Sequence, residues 1–294
     1  MCLYEEAHGV VASHPIFQGP FPVTPTLHDM ATPEHYRRHP CGAALGATMP
    51  AWSIYRGKIG RYVGVVADGY GFEDSPDAEW IASGKNSKNA RAVALGRQGN
   101  FFHWGFAAAP DEMTDEARTV FLNTLAYMRR FDGKNALAVG KTNSREWLSV
   151  YVASPEGLSD YYKKQMPAAW MAAAGDDLAA LRALCAAELP YVVRVDGHWQ
   201  VDADCKQLGL DNRLTASLRR CVELLAAADG DGDSSDDAAA RRVLERYTGQ
   251  QFVTAAEWRG WLEANEGRLF HSDKVGRFAV APPEYPSPYR APAK

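Results

Sequence analysis

The sequence predicts an α/β protein of two parts, with a sheet domain at residues 1–138 and a mainly helical domain at 139–294 that contains one β-hairpin. Three observations predict this organisation. Short β-rich runs between turn residues occupy 51–106, an amphipathic pattern follows at 114–131, and helical spacing dominates from about residue 144. A chain of 294 residues is long enough for about two domains.

The first domain carries five β-rich runs. They are AWSIY (51–55), RYVGVVAD (61–68), EWIASG (79–84), ARAVALG (90–96) and NFFHWGF (100–106). The run at 61–68 is dense in valine, which predicts a strand buried on both faces. Only KNSKN and RQG separate the last three runs, and such tight-turn residues predict a meander or hairpin layer. Residues 14–26 hold four prolines, which predict an extended loop.

One amphipathic helix should cover this sheet. Thr114 is a favourable N-cap, and Asp115 and Glu116 suit the positive end of the helix dipole. The apolar face that the spacing predicts consists of Ala117, Val120, Phe121, Leu125, Met128 and Phe131. A domain boundary is placed within 133–143, where Gly, Lys, Asn and Thr accumulate.

The second domain reads as a series of helices. The predicted helical segments are 144–152, 158–166, 176–189, 214–228 and 256–270, together with a helix that ends at Tyr247. The exception is YVVRVDGHWQVD (191–202), which alternates around Asp196-Gly197, a strong signal for a two-residue hairpin turn.

Composition excludes several classes of protein. A net charge of −4 argues against a nucleic-acid or anionic-membrane surface, and no apolar run approaches the ~20 residues of a membrane span. The five cysteines are odd in number and form no CxxC pair, so a disulfide framework or a zinc knuckle is not predicted. A reduced compartment, and hence the cytoplasm, is expected for the chain as it stands, with export expected if the native start lies upstream.

Two groups of residues contain possible metal ligands. His28, His35 and His39 with Cys41 are the densest group of possible zinc ligands, but the flanking prolines and arginines favour an exposed loop. Asp229, Asp231 and Asp233 begin like a calcium loop. Ser234 and Ala240 then stand where an EF-hand needs glycine and a bidentate glutamate, so a solvated linker with Asp236 or Asp237 as a helix cap is favoured. Neither a metal nor a cofactor is predicted.

No motif in the chain defines a reaction by itself. The sequence lacks a GxSxG elbow, a GxGxxG turn and a P-loop. Asp74, Asp77 and Glu79 form an acidic loop whose carboxylates could serve acid/base chemistry, although capping of turns or helices is the commoner use.

Residues 1 to about 133 resemble the later part of the class I glutamine-amidotransferase-like fold, in its trehalose-utilisation (ThuA-like) branch. The segments that carry the resemblance are SHPIFQGP (13–20), TPEHY (32–36), ALGRQGNFFHWGF (94–106) and the helix at 114–131. Residues 144–294 are similar to the tail of uncharacterised bacterial proteins that carry such domains. The resemblance implies a partial flavodoxin-like parallel sheet that lacks the family's first strands, with a ligand site at the carboxyl ends of the strands.

The resemblance also indicates which chemistry to expect. Amidotransferases of this fold use a Cys on a strained turn and a His-X-Glu at the end of a late strand. His103 matches that histidine, but Gly105 stands in place of the glutamate. Cys2 is the only upstream cysteine before the proline-rich loop, and no preceding strand would position it. Glutaminase activity is therefore not expected.

Two functional hypotheses follow. In the first, the protein binds or processes a carbohydrate-related small molecule, with His103 as the catalytic candidate and Trp104, Asp74, Asp77 and His14 as ligand-binding candidates. In the second, it is a catalytically inactive binding or scaffold module. Its incomplete sheet would associate with a partner chain or with a second copy of itself.

Overall fold

The structure is a computed structural model of the chain that describes most of its residues. The described ranges are 2–57, 63–140, 144–154, 157–228 and 235–285. Contacts divide the chain into two compact units, of which the first comprises Met1–Glu73 and Asp77–Leu137 and the second comprises Asp74–Pro76 and Ala138–Lys294. Each unit has its own hydrophobic clusters. The mixed α/β class is confirmed.

Among the described residues, six strands of the first unit form one antiparallel sheet. The strands are β1 (Leu3–His8), β2 (Leu27–Ala31), β3 (Thr48–Ser53), β4 (Ala78–Asn86), β5 (Val93–Gln98) and β6 (Phe101–Trp104). Their order in the sheet is β2-β3-β1-β4-β5-β6. Strands β2 and β6 therefore lie at the two edges.

The parallel, flavodoxin-like sheet that the resemblance implies is wrong for these strands, because every neighbouring pair is antiparallel. The connections explain the difference. Strands β4, β5 and β6 follow one another through residues 87–92 and 99–100, whereas parallel neighbours need a crossover of a dozen or more residues. The meander predicted from the turn residues is confirmed.

Other strand predictions fail in the first part of the unit. The valine-rich run 61–68 is predicted as a doubly buried strand, but its described residues, 63–68, make only isolated bridges, and Val65 is 46% exposed. The central strand β1 is absent from the predictions because it carries Glu5 and Glu6, which strands disfavour. Glu6 is accommodated by Lys85 Nζ on β4 at 2.8 Å.

Two helices pack against one face of the sheet. They are α1 (Pro15–Gln18) and α2 (Asp115–Met128), and both contribute side chains to the main cluster of the unit. The predicted extended loop at 14–26 is thus wrong at its start, where the His14 side chain caps a helical turn and proline occupies the first position. The predicted cap of α2 is confirmed, since Thr114 Oγ1 accepts from Ala117 N at 3.1 Å. Leu125, predicted on the buried face, is 55% exposed.

A buried tyrosine, Tyr36, forms hydrogen bonds with the C-terminal end of β4. The Tyr36 hydroxyl accepts hydrogen bonds from Asn86 N at 2.9 Å and Asn86 Nδ2 at 3.0 Å, and it donates to Gly84 O at 3.2 Å. The side chain is completely buried, so water cannot replace these contacts.

Replacing Tyr36 with phenylalanine should therefore lower the free energy of unfolding by about 1–3 kcal/mol, since buried polar groups at the end of β4 lose their partner. Urea denaturation would measure the loss. Tyr161→Phe is the matched control, because Tyr161 is 66% exposed, and its effect should stay within about 0.5 kcal/mol. Equal effects for the two variants would contradict the role assigned to the Tyr36 hydroxyl.

The described part of the second unit is mainly helical, as predicted. Its helices are α3 (Glu146–Ala153), α4 (Asp160–Lys163), α5 (Ala168–Ala174), α6 (Leu178–Glu188), α7 (Ala203–Leu208), α8 (Thr215–Ala228), α9 (Ser235–Thr248) and α10 (Ala255–Asn265). The helix predicted at 158–166 is only the single turn α4, because Pro167 precedes a separate helix, α5. No helix in the described ranges has the length and hydropathy needed to cross a membrane.

Two hairpins accompany these helices in the described residues, where one is predicted. The predicted hairpin is confirmed as β7 (Val192–Val195) and β8 (His198–Val201), with positive φ at Asp196 and Gly197 as a two-residue turn requires. The second consists of β9 (Leu269–Ser272) and β10 (Arg277–Val280). The sequence predicts residues 269–270 as part of the preceding helix, because the apolar spacing of Leu269 and Phe270 continues that of α10.

Candidate functional site

The predicted pair His103 and Trp104 does not form one site. They are adjacent on β6, and adjacent residues of a strand point to opposite faces of the sheet. Trp104 packs on the helical face, where its ring lies edge-on to Phe121 of α2 at 5.1 Å between centroids. His103 therefore lies on the other face, and the two rings cannot hold the same ligand.

The surroundings of His103 do not equip it for catalysis. Burial lowers its pKa, and the backbone carbonyls of Val65 and Val93 oppose this shift only in part. No described carboxylate is among the groups that act on its pKa. Its Nε2 is buried without a hydrogen-bond partner among the described residues. A neutral imidazole with no orienting acid lacks the second member of an acid/base pair.

Asp77 is a structural residue of the first unit. Its side chain is fully buried and accepts from Leu137 N at 2.9 Å, while its own carbonyl accepts from Gly99 N at 3.1 Å. These contacts tie the start of β4 to the turn before β6 and to the chain that leaves the unit. The carboxylate is thus committed to backbone contacts and is closed to solvent.

Asp74 belongs to the second unit, so it does not share a unit with His103. Burial raises its pKa to about 6, and the negative charges of Asp273 and Glu146 act in the same direction. The fold therefore favours the protonated form. The protein therefore loses stability as the pH rises from about 4, the pKa of Asp74 in the unfolded chain, through about 6, its pKa in the fold, because ionisation of the buried carboxyl is unfavourable.

Replacing Asp74 with asparagine should consequently stabilise the protein at about pH 7.5, by about 1–2 kcal/mol, because the variant carries no charge to bury. At about pH 4 most of this advantage should vanish, since the wild-type carboxyl is then protonated in the fold. Urea denaturation at the two pH values would measure the difference. Asp176→Asn serves as control at an exposed carboxylate, and a pH-independent effect of Asp74→Asn would contradict the expectation.

His14 joins a polar cluster that the sequence did not single out. The cluster contains His14, Glu79 of β4, Arg97 of β5 and Tyr127 of α2. Arg97 donates to both oxygens of Glu79, each at 2.7 Å, and Tyr127 Oη donates to the same carboxylate at 2.9 Å. His14 Nε2 donates to Glu79 Oε2 at 3.2 Å, and its Nδ1 accepts from Ile16 N at 3.4 Å.

The contacts of this cluster indicate a structural link between elements of the fold rather than a catalytic centre. Burial alone would raise the pKa of Glu79, but the hydrogen bonds from Arg97, His14 and Tyr127 lower it to about 2. Such a carboxylate stays ionised at neutral pH and cannot donate a proton. Both nitrogens of His14 are engaged as well. The cluster thus connects the turn before α1, the sheet and the end of α2.

Two of the possible zinc ligands, His28 and His35, form hydrogen bonds with different residues. His28 Nε2 donates to Glu6 Oε1 at 3.1 Å, and His35 Nε2 donates to Asn86 O at 3.0 Å. Within the described ranges, no three His, Cys, Asp or Glu side chains are grouped so as to hold a metal ion. The calcium-like aspartates 229, 231 and 233 lie outside the described residues. Asp236 and Asp237, considered as caps, lie in the first turn of α9.

The described residues of the second unit form a groove of about 770 Å³. It lies between β8 and the segment from α4 to α5. The apolar residues that line it include Met166, Pro167, Met171, Val195, Trp199 and Val201. Its polar rim includes Lys163, Lys164, Asp196, His198 and Gln200.

Sequence reasoning did not find this groove because its walls come from two separate parts of the chain, residues 163–171 and 195–201. The sequence predicts the hairpin at 191–202 correctly, but at 158–166 it predicts one helix where the structure has the single turn α4 followed by α5. The adjacent lysines Lys163-Lys164 are the one local signal of a charged surface there. Only the packing of the hairpin beside α5 brings the lysines opposite β8.

Comparisons with known proteins leave the geometry as the only guide to function. No protein-family model, no curated protein and no solved structure matches the chain.

Proposed function

We propose that this protein is a catalytically inactive binding module that holds a segment of a partner chain in the groove beside β8. The groove itself is the observation that supports this proposal. Its apolar lining and polar rim have the composition of a recognition site, and its volume of about 770 Å³ lies within the range of ligand pockets.

The carbohydrate-processing hypothesis has less support from the first unit. His103 and Trp104 lie on opposite faces, Asp77 is closed to solvent, and Asp74 belongs to the other unit. His14 and its carboxylate partner are already saturated with hydrogen bonds. The four predicted residues of the first unit therefore do not converge on one substrate position.

A groove-blocking variant tests the proposal. Ala169 is exposed and lines the groove, so Ala169→Trp should fill it without disturbing the core. Ala183→Trp is the control, because Ala183 is exposed on α6 outside the groove. Peptides selected from a random displayed library on the wild-type protein should bind Ala183→Trp equally and lose binding to Ala169→Trp.

If no selected peptide distinguishes these two variants, the groove is not a peptide-binding site and the proposal fails. Circular dichroism and thermal unfolding of both variants establish that each remains folded, so that a loss of binding reflects the groove.

A further inference from the structure

We infer that the partner segment is an extended acidic peptide that adds as a strand to the open edge of β8. This inference rests on the proposed function of the groove and names the chemistry of its occupant. It is carried by the unpaired edge of β8, the cationic rim and the apolar residues between them.

The edge of β8 that faces away from β7 is open. Among the described residues, β7 and β8 form a sheet of only two strands. No described residue outside β7 makes a backbone hydrogen bond with His198–Val201. An unpaired edge presents a row of N–H and C=O groups that favours addition of another strand. At ~3.3 Å per residue, β8 offers about 13 Å of edge, enough for a short extended segment.

The charges around the groove favour a partner segment of negative charge. Lys164 is exposed and forms no ion pair within the described part of the chain. Lys163 pairs at 2.6 Å with Asp176, whose side chain is 81% exposed, so this pair is weak and open to exchange. Among the described residues that line the groove, Asp196 at the turn is the only acidic one.

The apolar lining selects an alternating pattern in the partner. Side chains of an added strand point alternately to two sides. One set would contact Met166, Met171 and Val201 within the groove, whereas the other set would reach the lysines at its rim. An alternation of apolar and acidic residues satisfies both sides. A free carboxylate ligand or a nucleic-acid strand would satisfy the charge but would leave the edge of β8 unpaired.

The test uses synthetic fluorescein-labelled peptides of about six residues, slightly longer than the four-residue edge of β8. One peptide alternates glutamate with valine, a second alternates lysine with valine, and two more carry N-methyl groups on alternate residues of the acidic peptide, in either register. Fluorescence anisotropy measures binding to the full chain, to Lys164→Glu and to Ala169→Trp. Lys88→Glu is the matched control, since Lys88 is an exposed lysine of the first unit.

The expected result is binding of the acidic peptide, little binding of the basic one, and weakening by about tenfold in Lys164→Glu but not in Lys88→Glu. N-methylation should abolish binding in one register only, because each edge of a strand uses the N–H groups of alternate residues. Ala169→Trp should not bind the peptide.

Other outcomes separate the two proposals. If library peptides depend on the groove but are neutral or basic, or if both N-methylated forms bind as well as the parent, strand addition by an acidic segment is wrong while the binding groove stands. Oligothymidylate or a fatty acid could also bind in the groove. If one of them does and no bound peptide depends on its backbone N–H groups, the partner is a different anion and not an added strand. If neither the library nor the synthetic peptides show dependence on the groove, the proposed function itself fails.

Discussion

Replacing Glu79 with alanine is expected to destabilise the first unit by about 3–5 kcal/mol, because it leaves the Arg97 guanidinium buried without its carboxylate. The Arg97 side chain is 2% exposed, and it also donates to Gly99 O at 2.8 Å. The Phe131 ring, 3.7 Å from the guanidinium carbon, compensates only in part. Urea denaturation gives the loss, and hydrogen exchange should place it in β4 and β5.

Two comparisons establish the cause of this effect. Glu34→Gln removes a carboxylate from an exposed ion pair with Arg38, and its effect should stay below about 1 kcal/mol. The double variant Glu79→Leu/Arg97→Met, in which no charge is buried, should recover much of the loss. If the double variant is as unstable as Glu79→Ala, lost packing rather than the unpaired charge explains the result.

The same carboxylate predicts a pH dependence with a definite sign. The folded pKa of about 2 lies below the unfolded value near 4.3, so the contribution of Glu79 is complete at neutral pH. It amounts to about 3 kcal/mol and is lost as the pH falls from about 4.5 through about 2. Acid unfolding of Glu79→Ala should therefore be less steep than that of the wild type.

Replacing Asp273 with alanine should destabilise the second unit by a similar amount, about 3–5 kcal/mol. Asp273 accepts from Arg145 Nε at 2.8 Å and from Arg145 N at 2.7 Å, and both side chains are nearly inaccessible. Burial would raise the pKa of Asp273, but Arg145 lowers it overall, which keeps the carboxylate ionised. Arg145 also donates to Asn212 Oδ1 at 2.6 Å, so the pair connects the start of α3, the β9–β10 hairpin and the chain before α8.

Hydrogen exchange would locate this second effect, with faster exchange expected in α3 and in β9. Glu223→Gln is the control, since Glu223 pairs with Arg220 at an exposed position and should contribute less than about 1 kcal/mol. Unchanged protection in α3 and β9 after Asp273→Ala would show that the Arg145 contact does not stabilise the unit.

Local patterns predicted the local structure well. The cap at Thr114 and the hairpin at Asp196-Gly197 both depend on residues close in sequence, and the structure confirms them. The failures involve competition with distant residues. Strand β1 forms despite its glutamates because Lys85 lies across from Glu6, and Lys85 is far away in sequence.

The candidate site was predictable only as a set of residue types. His14 is predicted as a ligand-binding residue, but in the structure it contacts Glu79, whose other partners Arg97 and Tyr127 come from β5 and α2. Alternation along a strand could have separated His103 from Trp104 at the sequence level, because adjacent strand residues face opposite sides.

By itself the sequence determined the two-part organisation, the meander of β4, β5 and β6, the capped helix α2 and the β7–β8 hairpin. These features follow from dihedral preferences, turn residues and periodicity within short stretches. Only the tertiary structure decided the antiparallel order of all six strands, the face on which each candidate side chain lies, and the groove between β8 and α5. Those features depend on pairing and packing between segments distant in sequence, which no local pattern encodes.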